Sequence, residues 1–327
     1  MAAEVRHSAR WFGPNVSARR VTTMKDDVFN TDRRLFFSIA YRMLGSASDA
    51  EDVLQDAWMR YQAADESEIR SPRAFVATIV SRLCLDRLKS AQSTREEYIG
   101  PWLPEPVLTS EVKGPDAVLQ HAESITLAFL VLLEKLSPEE RAVFLLKDIF
   151  EYEHAEIAEM LNTSPDNSRQ LLHRAKARLA ADRPRLSGTN ASRRAVAERF
   201  ARAFSSGNGS ELTEILAQDV GMWSDGGGKA SAARRPLIGR DEVLNFLIGL
   251  HRTGQATGVA SQASLDIEDV NSEPAIVLRI ADHLESIFVF SIENDRISGI
   301  RVVRNPDKLS RIDRSLSHRE RPPRSGG

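Results

Sequence analysis

The sequence predicts an all-helical N-terminal half joined to an α+β C-terminal domain, and three observations carry that prediction. Up to about residue 180 the apolar positions recur at helical spacing, and Ser-Pro and capping-box signals mark where helices begin. After Pro184 to Gly188 the pattern turns to short strand-like runs bounded by turn residues. These strands follow the helices without alternating with them, which predicts an antiparallel sheet.

The chain has 327 residues, 42% of them apolar, with 44 Lys and Arg against 46 Asp and Glu. That length suits two or three domains. A single cysteine, Cys84, excludes an internal disulfide and a cysteine-based zinc site, and fits a reducing cytoplasm. The longest apolar stretch, Ile125 to Leu133, is nine residues, against the roughly 20 needed to cross a bilayer, so no membrane partner is expected. Residues 1–27 lack the apolar core of a signal peptide and read as a disordered tail, unless Met24 is the true start. The net charge of −2 hides a segregated pattern: residues 139–159 carry seven acids against two bases, and residues 167–186 six bases against one acid. A near-neutral chain of this kind still offers phosphate a basic surface.

Leu35, Phe36, Ile39, Ala40, Met43 and Leu44 share one helix face, as do Val53, Leu54, Ala57, Trp58 and Tyr61 on the next helix. Ser71-Pro72 opens a third helix through Ala91, with Val76, Ile79, Val80 and Leu83 on its packing face and Arg82, Asp86 and Lys89 on another. Pro101, Pro104, Pro106 and Gly114-Pro115 then break any helix, so residues 99–115 read as a linker. A second helical unit, 116–185, contains the apolar helix Leu127 to Leu136 and the capping box Ser137-Pro138-Glu139-Glu140. Next come a helix His154 to Leu161, the short turn Asn162-Thr163, and a helix capped by Ser164-Pro165. In that last helix Leu171, Leu172, Ala175 and Leu179 form the packing face. Arg169, His173 and Lys176 stand in line outside it, flanked by Gln170 and Arg174. Such a row of donors suits a helix that reads the major groove; a solvated basic face is the plain alternative. Helices at Ala191 to Phe204, Glu211 to Leu216 and Asp241 to Leu250 are predicted next. Strands at Val259 to Ile267, Ala275 to Ile280, Ser286 to Ile292 and Ile297 to Val303 complete a domain over 190–312, with Glu293-Asn294-Asp295 as a hairpin turn and 313–327 as a disordered tail.

Asp49-Ala50-Glu51-Asp52-Val53-Leu54-Gln55-Asp56-Ala57-Trp58, Pro72-Arg73-Ala74-Phe75 through Asp86-Arg87-Leu88-Lys89, and Leu136-Ser137-Pro138-Glu139-Glu140-Arg141 with the helix-turn-helix ending His173-Arg174-Ala175-Lys176 resemble an extracytoplasmic-function sigma factor of RNA polymerase over about residues 28–182. Trp102-Leu103-Pro104-Glu105-Pro106, Asp225-Gly226-Gly227-Gly228-Lys229 and Asn305-Pro306-Asp307-Lys308-Leu309 resemble the signature of the SigJ-type subgroup, in which a SnoaL-like domain of the NTF2-like fold follows region 4. The resemblance implies a region 2 bundle over 28–98, a region 4 helix-turn-helix over 116–185, and a C-terminal domain that regulates in cis. Core RNA polymerase, through its β′ clamp and β flap, and promoter DNA are the implied partners, with no separate anti-sigma factor, no cofactor and no metal. Asp49, Glu51, Asp52, Leu54, Gln55, Asp56 and Trp58 are the implied polymerase contacts. Arg73, Arg82, Arg87, Lys89 and Arg95 are expected to face the melted −10 strand. Ser164, Asn167, Arg169, Gln170, His173, Arg174, Lys176 and Arg178 are expected to face the −35 duplex. The recognition helix departs from the Gly-Thr-Val-Lys-Ser-Arg common in the wider family, so no promoter sequence carries over.

The physical reading of the same residues agrees. The acidic, partly apolar face around Asp49 to Trp58 suits a basic partner, a solvated acidic face being the alternative. Gly226 to Lys229 fails the phosphate-loop pattern, because Trp223 and Ala230 stand where it needs Gly and Ser or Thr. Its glycines permit close backbone approach, which favours docking on another domain with Asp225 and Lys229 making polar contacts and Asn305 to Lys308 opposite. His154-Ala155-Glu156 lacks the cysteine pair of a zinc deaminase. Asp225, Asp282 and His283 are the candidates for acid-base chemistry in an NTF2-like cavity. Two other readings remain open: a ligand-sensing regulator or SnoaL-like enzyme fused to a DNA-binding module, and a simple helix-turn-helix repressor.

Overall fold

In the computed structural model, residues 24–95, 98–112, 125–180 and 188–320 are described. Residues 1–23 of the tail expected over 1–27, residues 321–327 of the tail expected over 313–327, the segment 113–124, and Arg183 and Arg185 of the basic run lie outside them, while residues 24–27, expected to be disordered, begin the first helix.

Helices α1 (Met24–Leu44), α2 (Ala47–Ala63) and α3 (Pro72–Arg95) form the first unit. Ser46 caps α2, its hydroxyl accepting from the Asp49 amide. Tyr41, Ile39, Val53, Ala57, Val76 and Val80 fill the centre. Cys84 is buried on α3, and burial pushes its thiol far above the usual range. It is expected to resist alkylation in the native protein and to react on unfolding, which thiol counting with and without denaturant checks.

A strap, Trp102 to Leu108, leads into the single turn α4 (Thr109–Val112). The second unit contains α5 (Leu127–Leu133) and α6 (Pro138–Phe144), which begins with the expected capping box at Ser137 and Glu140 and runs into a π turn, Leu145–Ile149. Next come α7 (His154–Leu161), ended by Asn162 in the left-handed region at φ 52°, and α8 (Pro165–Leu179), capped by Ser164.

The C-terminal domain comprises α9 (Asn190–Ser206), α10 (Gly209–Ile215), β1 (Leu216–Asp225), β2 (Leu237–Ile238), α11 (Arg240–Ala256), β3 (Ala263–Val270), β4 (Glu273–Ile280), β5 (His283–Glu293), β6 (Arg296–Val303) and α12 (Pro306–Glu320). The sheet order is β2-β1-β6-β5-β4-β3. Several features correct the sequence reading. Val259–Gln262, expected to open a strand, is a short helical turn, and β3 begins only at Ala263. Strand β1 was not anticipated, and it pairs parallel with β6, so the sheet is mixed. Gln218, Asp219 and Gly221 interrupt its apolar alternation and hid it. Helix α12 runs to Glu320, where the chain was expected to be disordered from 313. Leu309, Ile312 and Leu316 are buried at helical spacing within a segment whose charge masks them.

Successive strand residues point to opposite faces, and both faces of this sheet are covered. Ile276, Phe288, Phe290, Ile300 and Val302 point toward α9 to α11, forming the domain's own core. Ala275, Val277, Ile287, Val289 and Val303 point the other way and join the core of the two helical units. The continuous apolar runs in β4 and β5 are the sequence mark of a sheet buried on both sides.

Candidate nucleic-acid interface and interdomain contacts

The basic row on α8 is exposed. Gln170 and His173 face solvent, and Arg169 pairs with Asp166 one turn away, at 2.5 Å. Asn167 and Ser164 build the start of the helix: the Asn167 amide donates to Ser164 Oγ at 3.1 Å, and Asn167 Nδ2 to Thr163 Oγ1 at 2.8 Å. Lys176, expected in that row, and the flanking Arg174 and Arg178 are instead tied to the neighbouring acidic segment. Arg174 and Arg178 reach Glu140 at 3.4 and 2.5 Å, and Lys176 reaches Asp148 at 2.9 Å. The charge segregation in the sequence therefore folds into a neutralising contact behind the exposed row.

The bases of α3 are held differently. Arg82 Nε donates to the Met160 carbonyl at 2.7 Å and its Nη2 to the Glu159 carbonyl at 2.8 Å, so the C-terminus of α7 sits on this helix. Lys89 pairs with Glu139 at 3.0 Å. Arg73 lies 3.7 Å from Asp32. Arg87 turns to α2, donating to the Asp49 carbonyl at 2.9 Å and to Asp56 Oδ2 at 3.2 Å, with Asp52 at 3.9 Å. The side chain of Arg95 lies outside the described residues. From the second unit, Arg141 donates to the Met43 carbonyl at the end of α1, at 2.9 Å. Burial lowers its guanidinium to about 10.

Of the residues expected to meet polymerase, Asp49, Asp52 and Gln55 are exposed. Trp58 is half-buried against Phe29, ring centroids 5.0 Å apart, and Leu54 is interior. Glu51 pairs with Arg33 and with Arg311 of α12, the latter at 3.4 Å. The C-terminal helix thus touches the same helix face.

The strap is buried from Leu103 to Thr109. An extended chain can be buried only if its amides find partners, and the alternating prolines remove two donors. Of the rest, the Leu103 amide donates to Asp225 Oδ2 at 2.8 Å, the Glu105 amide to the Gly45 carbonyl at 2.8 Å, and the Val107 amide to Asn271 Oδ1 at 3.1 Å. Glu105 accepts from the Ser48 amide at 2.9 Å, where the start of α2 favours an anion. Trp102 covers Gly45, at φ +68°, so closely that a Cβ there would stand 2.7 Å from its ring.

Asp225 is fully buried at the end of β1 and holds four donors. Tyr98 Oη lies at 2.6 Å, the Leu103 amide at 2.8 Å, Lys308 Nζ at 2.7 Å and the Gly227 amide at 3.0 Å. Burial and the facing carboxylate push the Tyr98 phenol up, so it remains a donor. Lys308 also donates to the Leu103 carbonyl at 2.5 Å and lies over the rings of Trp102 and Tyr98, at 4.4 and 5.0 Å. Lys229 pairs with Asp307 at 2.5 Å. Gly227, at φ +58°, packs against the Asn305 side chain, where a Cβ would fall 2.2 Å from Nδ2. Pro306 is exposed and Leu309 buried. The glycine loop and the Asn305 to Leu309 segment therefore meet each other and the strap together; the sequence reading set the first two opposite one another and did not place the strap between them.

Three contributors were not singled out from the sequence. Tyr98 is one. Asn271 opens the two-residue β3–β4 turn at φ 52° and donates to Tyr41 Oη at 2.7 Å and the Ile125 carbonyl at 2.8 Å, joining both helical units and the strap at one amide. Glu273, buried on the sheet face toward α5, accepts from the Leu127 amide at 3.3 Å. Burial raises its carboxyl to about 7 against the pull of Arg301. An Asn at a hairpin tip flanked by apolar strands was the one available signal. The acid-base candidates do not converge: Asp225 faces the strap, and Asp282 and His283 lie on the exposed β4–β5 turn.

Residues 28–94 match the Sigma-70 region 2 family and residues 126–179 the Sigma-70 region 4 family. The chain is 35% identical over 293 residues to the ECF RNA polymerase sigma factor SigJ of Mycobacterium tuberculosis, across 88% of this chain and 94% of that one. The crystal structure of SigJ covers 87% of this chain and 98% of its own, with a TM-score of 0.67 at 32% identity. The ferric citrate uptake sigma factor FecI of Escherichia coli is 29% identical over 154 residues, 86% of its length but only 46% of this chain, so the likeness to SigJ extends through a C-terminal domain that FecI does not match. With both sigma regions matched and SigJ aligned nearly end to end, this chain belongs to the extracytoplasmic-function sigma factors, which direct RNA polymerase to promoters.

Proposed function

We propose that the C-terminal SnoaL-like domain holds regions 2 and 4 in a closed arrangement that promoter-bound holoenzyme must undo. The carrying observation is Arg82, a base of the expected melting helix, donating to two carbonyls at the end of α7 in the helix-turn-helix. Promoter elements at −35 and −10 are roughly 25 base pairs apart, about 80 Å of duplex at 3.4 Å per pair. Two units in hydrogen-bond contact cannot occupy both. In this reading α8 reads the −35 duplex through Arg169, Gln170 and His173, while Arg82, Arg87 and Lys89 turn to the melted strand once region 4 departs. Asp49, Asp52, Gln55 and Trp58 meet the β′ clamp, and region 4 meets the β flap. The Asp225 contact takes the place of a separate anti-sigma protein, and the protein works in the cytoplasm beside its polymerase.

Donor and acceptor dyes on Met59→Cys and Ala177→Cys, both exposed positions, test this, since Cys84 is shielded. High transfer is expected for the free protein, and near-complete loss of transfer when core polymerase and promoter DNA are added. Unchanged transfer in an active initiation complex would refute the closed reading.

A further inference from the structure

A cavity of about 670 Å3 opens on the face of the sheet that carries α9 and α11, between those helices and the strands. Its walls are apolar: Phe204, Met222, Phe246, Leu278, Phe288 and Val302 line it. Small residues stand where larger ones would fill the space, among them Ala233, Gly249, Ala260 and Ala263. The volume lies in the range of sites that enclose drug-sized molecules. Two charged side chains among its walls, Glu285 and Arg304, are bonded to each other, and Arg304 also donates to the Ser231 carbonyl. That pair leaves no net charge to balance an ion, and a buried unpaired ion is costly. Ser224, Ser286 and His251 add hydrogen-bonding groups.

Strand alternation places this cavity back to back with the interdomain contact. Met222 and Ser224 face the cavity, and the next residue, Asp225, faces the strap and holds Tyr98, Leu103 and Lys308. On β6, Val302 lines the cavity. The Arg304 amide donates to the Asp225 carbonyl at 2.7 Å while its guanidinium lies in the cavity wall. Along β1 no residue separates wall from latch.

We propose that this cavity is a binding site for an uncharged, mainly apolar small molecule that also carries hydrogen-bonding groups, and that its occupancy changes the hold of Asp225 on the strap. The coupling rests on the closed arrangement proposed above; the binding does not. By linkage, a ligand that alters closure must itself bind the open and closed forms with correspondingly different affinity.

The uncharged dye N-phenyl-1-naphthylamine serves as probe, titrated into the full-length protein. Saturable enhancement at one dye per chain is expected. Ala233→Phe and Leu265→Trp, which fill the cavity from its side and its rim, are each expected to weaken binding at least tenfold while the circular dichroism spectrum is kept. Two variants are used so that one misfolded protein does not decide the outcome. Absence of saturable binding, or binding indifferent to both variants, overturns the site even where the Met59–Ala177 transfer confirms closure. For the coupling, saturating dye is expected to shift that transfer in the wild type and not in Ala233→Phe. Dye bound in the cavity with transfer unchanged overturns the coupling and leaves the site standing.

Discussion

Replacing Asp225 with alanine is expected to open the molecule while the C-terminal domain stays folded. The carboxylate lies on the strap side of the sheet, outside the domain's own core, and every donor it holds except Gly227 belongs to the strap, Tyr98 or α12. Its removal takes the carboxylate partner from the Lys308 ammonium, only 14% exposed, and leaves the buried Leu103 amide without its acceptor. Breaking a buried pair in this way costs about 3 kcal/mol or more, which corresponds to roughly a hundredfold shift toward the open form. The Met59–Ala177 dye pair should report that shift directly, and transcription with core polymerase should rise with it. Asp225→Asn, which keeps an acceptor but no charge, should fall between. The wild-type distance and wild-type output in Asp225→Ala would eliminate the latch, provided thermal unfolding shows the domain intact.

Closure is also expected to depend on pH, through Glu273. This carboxyl is buried between β4 and the start of α5. Burial raises it from the ordinary 4.5 to about 7, with Arg301, the Leu127 amide, Ser291 and Arg193 pulling the other way. In the open form the sheet face meets water and the carboxyl returns toward its ordinary value. Between about pH 4.5 and 7 the closed form therefore binds more protons than the open one. Closure is strongest below that window and is lost as pH rises through it, by up to about 3 kcal/mol. Dye transfer measured from pH 5 to 8 should fall as pH rises. Glu273→Gln, which mimics the protonated acid, should stay closed at pH 8 with a flattened profile. A wild type indifferent to pH, or a Gln variant with the full wild-type slope, would remove Glu273 from the account.

Much of the architecture was legible because it is local. The capping box at Ser137 and Glu140 and the cap at Ser164 each involve residues three apart, and both form as the spacing predicts. The meeting of Asp225 to Lys229 with Asn305 to Leu309 was also readable, since glycines that admit a close approach imply something to approach. Strand β1 was not legible, because a strand whose alternation is broken by Gln218, Asp219 and Gly221 resembles a loop until a partner strand is known. The ordered end of the chain was hidden too, since the stripe Leu309, Ile312, Leu316 is narrow and its neighbours are charged.

By itself the sequence determined most of the helices of the first two units, the caps at Ser137 and Ser164, the order of the units and the family these belong to, since each depends on residues within a few turns of one another. Only the tertiary structure decided what those residues face. Arg87 turns to the carboxylates of α2, Arg82 to α7, and Asn271 bonds Tyr41, 230 residues away. The strap is buried because Asp225, Gly45 and Asn271 receive its amides. Such partners are set by where the chain returns in space, through apolar burial on both faces of one sheet, and local spacing carries no record of that return.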